Sequence, residues 1–397
     1  MRTLAALAAV AVVSCTGSAQ SHASPSPVAS VSPIAANPAE SKAADFRIRL
    51  DLLLGEHVMI IAKQSSAPAR QAEYTGYLRL LTANSSDLTE LVRSALGDSV
   101  ATRFEQLWNA QNDDLVNYTI GLVTHNKAKA DAAISLLSDT FVPQFSQFLN
   151  DVTQIPSELI VPLVTQHMLE TKSMLDDQLA GNYPGLYADI RTSYAHATQV
   201  GDAIAPRITG TFPDKFPGNA TSSAVDLRAS LNIRLQEHSY LATMRTSADA
   251  GHRAAEQAAA AGALVANTNA LDAQITDLFG ATPALRFDQL WSAANAAMVG
   301  YALASISTSK QRALSQLTDA SVTQLGAWLT DTTDLPADAS RPVLEAQLEA
   351  VVTVIDDQRT RSWSKLAADD RWAAASAEVV ADLITAAAIA KLRPKFG

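Results

Sequence analysis

Apolar positions recur at helical spacing from about residue 44 to the C-terminus. Leu50, Leu53, Leu54, His57 and Ile61 step by three, one, three and four, which lays them down one face of a helix. Glycine and proline are sparse inside such runs and gather between them. Ser66-Ala67-Pro68 closes the first helix, Gly97-Asp98 the second, and Phe104, Leu107, Trp108 and Leu115 stripe the third. Residues 132–148 are amphipathic again despite Pro143, and Ile155-Pro156-Ser157-Glu158 leads into helices expected at 159–180 and 184–208. Period-two runs flanked by hairpin turns are absent from the sequence. The predicted class is all-α: antiparallel bundles, five or six helices per copy around a four-helix core.

The pattern is written twice. LLLGEHVMII from Leu52 returns as NIRLQEHSYL from Asn232, and RFEQLWNAQNDDLVNYTIGL from Arg103 as RFDQLWSAANAAMVGYALAS from Arg286. LDDQ at Leu175 answers IDDQ at Ile355, and DIR at Asp189 answers DDR at Asp369. The offset is 181 residues at the Glu-His pair, 183 in the middle and 180 at the end, so only short insertions separate the copies. A chain of 397 residues suits two domains. The expected division is 44–208 and 224–397, joined at 209–223, where Gly210, Pro213, Pro217 and Gly218 interrupt any helix and Phe212 and Phe216 offer packing contacts.

Residues held in both copies are read first as parts of the fold. Trp108 and Trp291, Tyr118 and Tyr301, and Phe104 and Phe287 fit a core built on large anchors. Asn84 and Asn267 fit buried amides that set helix register. Glu56-His57 and Glu237-His238 are matched as well, and an imidazole there can donate to a carbonyl or carboxylate on another helix.

The asymmetry carries the candidate chemistry. His167 is replaced by Gln347, His196 by Ser376 and His125 by Thr308, so the first copy alone holds four histidines on four segments. His57, His167 and His196 fall near mid-height of their helices, where antiparallel neighbours bring side chains to one point. Neutral imidazoles with a carboxylate suit zinc, copper or iron. The candidate set is His57, His167, His196, His125 and Glu56, with Met59, Met168 and Met174 as soft ligands that would tilt the choice towards copper. HExxH is absent, and so is the ExxH motif that a di-metal carboxylate bundle takes from each of two helices.

The N-terminus places this chemistry outside the cytoplasm. Arg2 precedes an apolar stretch from Leu4 to Val13 that ends Val-Val-Ser-Cys. This resembles a bacterial lipoprotein signal over residues 1–14, with Val12 where leucine is customary. The resemblance implies a lipid on Cys15 and anchorage to the cell membrane, facing outside the cytoplasm. Residues 15–43, rich in Ser, Ala and Pro, read as a flexible tether, and no later segment reads as a membrane span. Cys15 is the only cysteine, which excludes an intrachain disulfide and a thiolate cluster. A formal charge of −10 without a basic run argues against nucleic acid as a partner.

Nucleotide-binding loops and the GxSxG elbow are missing, and Ser307-x-x-Lys310 is an isolated match, so no catalytic residue is assigned. The expectation is a surface-tethered helical binding protein with a transition-metal site in the first copy. Two alternatives stand beside it: a structural or protein-interaction lipoprotein whose histidines belong to the core, and a redox metalloenzyme.

Overall fold

The computed structural model describes residues 37–67 and 71–396, all of which belong to one compact unit beginning at Asn37. The protein is all-α. The first repeat comprises α1 (Lys42–Ser65), α2 (Gln71–Leu96), α3 (Asp98–Val123), α4 (Lys127–Leu136), a π-turn (Leu137–Phe141), α5 (Val142–Thr153), α6 (Ser157–Ala180) and α7 (Tyr183–Thr211). The second follows the same plan: α8 (Ser223–Ala250), α9 (Ala254–Phe279), α10 (Ala281–Leu303), α11 (Ser307–Thr318), a π-turn (Asp319–Gln324), α12 (Leu325–Thr333), α13 (Ala337–Thr360) and α14 (Trp363–Lys391), with a terminal turn, α15 (Arg393–Phe396). The leader, Cys15 and most of the expected tether lie outside the described residues.

Boundaries agree with the apolar pattern except where local side chains extend a helix. Ser41 accepts from the Ala44 N–H at 3.1 Å and starts α1 at Lys42, just before the expected 44. Ser222 caps α8 in the same way through the Val225 N–H. Helix α7 runs to Thr211, three residues past its expected end, with the Thr209 and Thr211 hydroxyls bonded back to carbonyls of the preceding turn. Phe216 does pack, its ring 4.9 Å from Phe46, whereas Phe212 is exposed.

Both π-turns went unseen in the sequence. Pro143 has no N–H to give to the fourth carbonyl before it, which suits a slipped register just ahead of it. The second π-turn holds the same place without a proline, so the slip belongs to the fold rather than to that residue. Helix α14 is a correction of another kind. It is long and apolar enough to cross a bilayer by composition, but more than half of that window is buried within the bundle.

Helices α1 and α8 lie at the centre. Nearly every residue of α1 from Ala43 to Ser65 is buried, including Arg47, Asp51, Glu56 and Lys63. A helix buried on all sides must pair or neutralise its charges. Arg47, Glu56 and Lys63 pair across the repeats, while Asp51 lies 3.9 Å from Arg47 within its own helix. Arg47 reaches Asp202 at 2.7 Å in its own repeat and Asp226 at 2.6 Å in the other, while its counterpart Arg228 reaches Asp382 at 2.8 Å and Asp45 at 2.6 Å. Arg371 bonds Glu56 at 3.0 Å, and Arg191 bonds Glu237 at 2.9 Å. The DIR and DDR matches in the sequence are therefore two halves of a reciprocal exchange.

Candidate functional site

The tandem matches resolve into hydrogen bonds. Asn84 donates to the Leu53 carbonyl and Glu56 Oε2, each at 2.9 Å, and Asn267 donates to the Arg234 carbonyl and Glu237 Oε2 at 3.0 and 2.7 Å. Tyr118 donates to Asp176 and Tyr301 to Asp356, which gives the matched acid pairs a structural use. Trp108 and Trp291 each lie against a histidine ring, His57 and His238, with centroids 4.7 Å apart in both repeats.

His57 is completely buried on α1, and its Nε2 stands 2.8 Å from Asn112 Oδ1. Asn112 donates its amide to Ser85 Oγ at 2.9 Å, and Ser85 in turn donates to the Leu81 carbonyl. That chain fixes the direction of every bond: Asn112 presents its oxygen, so His57 must carry its proton on Nε2. Nδ1 is left as a bare lone pair, buried and without a partner. Removal from water pushes the His57 pKa down to about 4, which keeps the ring neutral.

His167 on α6 lies beside it, with ring centroids 6.1 Å apart. Both of its ring nitrogens are buried and neither has a partner. Burial, and then the proximity of His57 and His196, lowers its pKa to about 3. His196 on α7 places Nδ1 3.1 Å from Glu170 Oε2, a close contact though not aligned as a hydrogen bond, while Glu170 Oε1 accepts from Gln166 at 2.6 Å. A carboxylate at that distance favours the tautomer with its proton on Nδ1. Nε2 of His196 is the third buried imidazole site with no partner.

His167 borders an apolar cavity of about 70 Å³, whose walls also include Trp108, Phe145, Leu54, Val164 and Ala197. The second repeat has a cavity of similar size, with Gln347 in the place of His167. On the outer side, an open groove between α6 and α7 reaches Glu170 and His196.

The remaining candidates lie elsewhere. His125 is exposed in the α3–α4 turn at φ 53°, apart from the other three histidines. Glu56 is occupied on both oxygens, by Tyr240 on one and by Asn84 and Arg371 on the other. Met59, Met168 and Met174 are buried. Met59 points about 200° around the helix from His57, and Met174 sits about 10 Å along the helix from His167. Among the described residues, no three His, Cys, Asp or Glu side chains stand ready to hold a metal ion.

The sequence reading passed over Asn112, although its match Asn295, 2.8 Å from His238, was visible in the second copy. The carboxylate beside a candidate histidine is Glu170, next to His196, rather than Glu56. Comparison with protein-family models, curated proteins and solved structures returns no match to this chain.

Proposed function

We propose that the protein is an exported, lipid-anchored helical binding protein that takes up one late first-row transition metal ion (copper, zinc or iron) in its first repeat. His57 Nδ1, His167 and His196 Nε2 would be the ligands. The observation that carries this reading is the set of partnerless buried imidazole nitrogens on His57, His167 and His196, with the first two rings 6.1 Å apart. A buried polar atom without a partner costs about 1–3 kcal/mol, so leaving several together is expensive unless a ligand uses them. The protons of His57 and His196 are drawn towards Asn112 and Glu170, the arrangement by which outer partners aim a histidine at a metal. Neutral rings are the form a metal needs, and the low pKa values of His57 and His167 supply it. Binding asks for side-chain rotation, for which the adjoining cavity provides space.

One observation favours a second reading, in which the histidines serve the fold. His238 repeats the asparagine bond of His57 in the copy that lacks the other two histidines. That accounts for the His57–Asn112 bond but not for His167. The division into two bundles, 44–208 and 224–397, belongs to the same proposal, with the first as binding module and the second as its support.

Titration of the exported chain with Co²⁺, Zn²⁺ and Cu²⁺ tests the proposal. One equivalent should bind, with Co²⁺ giving visible bands of imidazole coordination. His167→Ala and His57→Ala should each weaken binding about 100-fold or more, while His238→Ala leaves it unchanged. No stoichiometric metal under reducing or oxidising conditions, with an unchanged unfolding temperature on adding each ion, defeats it.

A further inference from the structure

We infer that the groove between α6 and α7 is the portal through which the metal ion reaches and leaves the histidines, with the His196–Glu170 contact as its inner gate. This rests on the metal reading above. A hydrated cation sheds water only where polar groups replace it. The inner cavity gives it nothing of that kind, because its walls are apolar apart from His167. The outer groove offers about 570 Å³ of open volume bordered by Gln166, Glu170, Thr192, His196 and Gln199, and by Arg191, whose guanidinium is paired with Glu237 at 2.9 Å. Glu170 and His196 each keep 13% of their side-chain surface exposed, so they face the groove, while His196 Nε2 is sealed from it. An ion arriving at Glu170 meets a carboxylate first and an imidazole directly behind it.

The second repeat supplies the contrast. Ala350 replaces Glu170, Ser376 replaces His196, Trp372 replaces Thr192 and Val379 replaces Gln199. Trp372 and Val379 are exposed, at 40% and 54%, so the matching face is apolar where the portal is polar. The copy that lacks His167 and His196 has also lost the polar path to them.

Thr192 is exposed, so Thr192→Trp copies the second repeat without burying new volume in the core. Stopped-flow mixing of the full chain with Co²⁺, and release to a chelator, should show association and dissociation both slowed about tenfold, with Kd nearly unchanged. Ser135→Trp, placed in the open groove between α3 and α4, should leave both rates at the wild-type values. Unchanged rates in Thr192→Trp, or equal slowing by Ser135→Trp, overturn the portal while normal wild-type binding preserves the metal site. Failure of the wild-type chain to bind Co²⁺ overturns both.

Discussion

Where the first repeat places His167 among apolar side chains, the second places Gln347, and the helices around them hardly differ. Both repeats keep a histidine bonded to an asparagine, a tryptophan against that ring, a tyrosine on a helix-end aspartate and a π-turn at one place. The scaffold therefore needs none of the first repeat's extra imidazoles. Two differences stand out: the inner site with the groove behind it, and one end of the contact between repeats. There Lys63 bonds Asp370 at 2.6 Å and Thr243 at 2.7 Å, and Tyr77 also donates to Asp370. The matching positions on the other side carry Met244, Ile190, Ala62 and Ala260. Otherwise matched surfaces thus meet through a buried charge cluster at one end and apolar side chains at the other.

The strongest way to break this comparison is Lys63→Met, which imports the second repeat's residue and strands Asp370, a carboxylate only 1% exposed. Loss of one partner from a buried pair should cost about 3–5 kcal/mol in urea unfolding. Adding Asp370→Ile should restore part of this, held back by the Tyr77 hydroxyl left without its acceptor. Equal stability of Lys63→Met and the wild type would remove the cluster from the interface argument.

A second test concerns acid. A buried imidazole with a lowered pKa binds fewer protons than it does in the unfolded chain, so its stability contribution is complete above about pH 6.5 and is lost as pH falls towards the folded value. His57 and His238, both at about 4, share this loss, whereas His167, at about 3, belongs to the first repeat alone. His167→Gln should therefore reduce the slope of stability against pH by about 1.4 kcal/mol per unit between pH 6 and 4. An unaltered slope would mean that His167 is not held neutral in the core.

The smallest effect lies at Asp51, whose counterpart Asn232 donates to Asp382 at 2.8 Å. Burial, and then the charge of Asp202, raises the Asp51 pKa well above the usual carboxylate range. The folded chain retains this proton after the unfolded chain has released it, so stability falls as pH rises above about 4 until the folded group also ionises. Asp51→Asn has the right shape beside Gly201, where a Cβ would meet Asp51 Oδ1 at 2.1 Å. It should flatten that dependence and add about 1 kcal/mol at pH 8. A loss of stability there would show that Asp51 is ionised and paired.

The sequence by itself determined the all-α class, the turns, and the distinction between shared and unshared residues, because helical periodicity and glycine-proline breaks are local properties of the chain. It also brought His57, His167 and His196 to one height from their places within their helices. Tertiary structure alone decided which carboxylate faces which base. Glu56 and Glu170 are both within three residues of a histidine, but rotation about the helix axis turns Glu56 towards Tyr240 and Arg371 of the other repeat and sets Glu170 beside His196 on α7. His125 shows the same limit: its absence from the second copy grouped it with the others, and a left-handed turn puts it in solvent. Spacing along a chain fixes height and face within one helix, whereas the partner across a bundle depends on how two helices rotate and slide against each other, which is set by packing over their whole length.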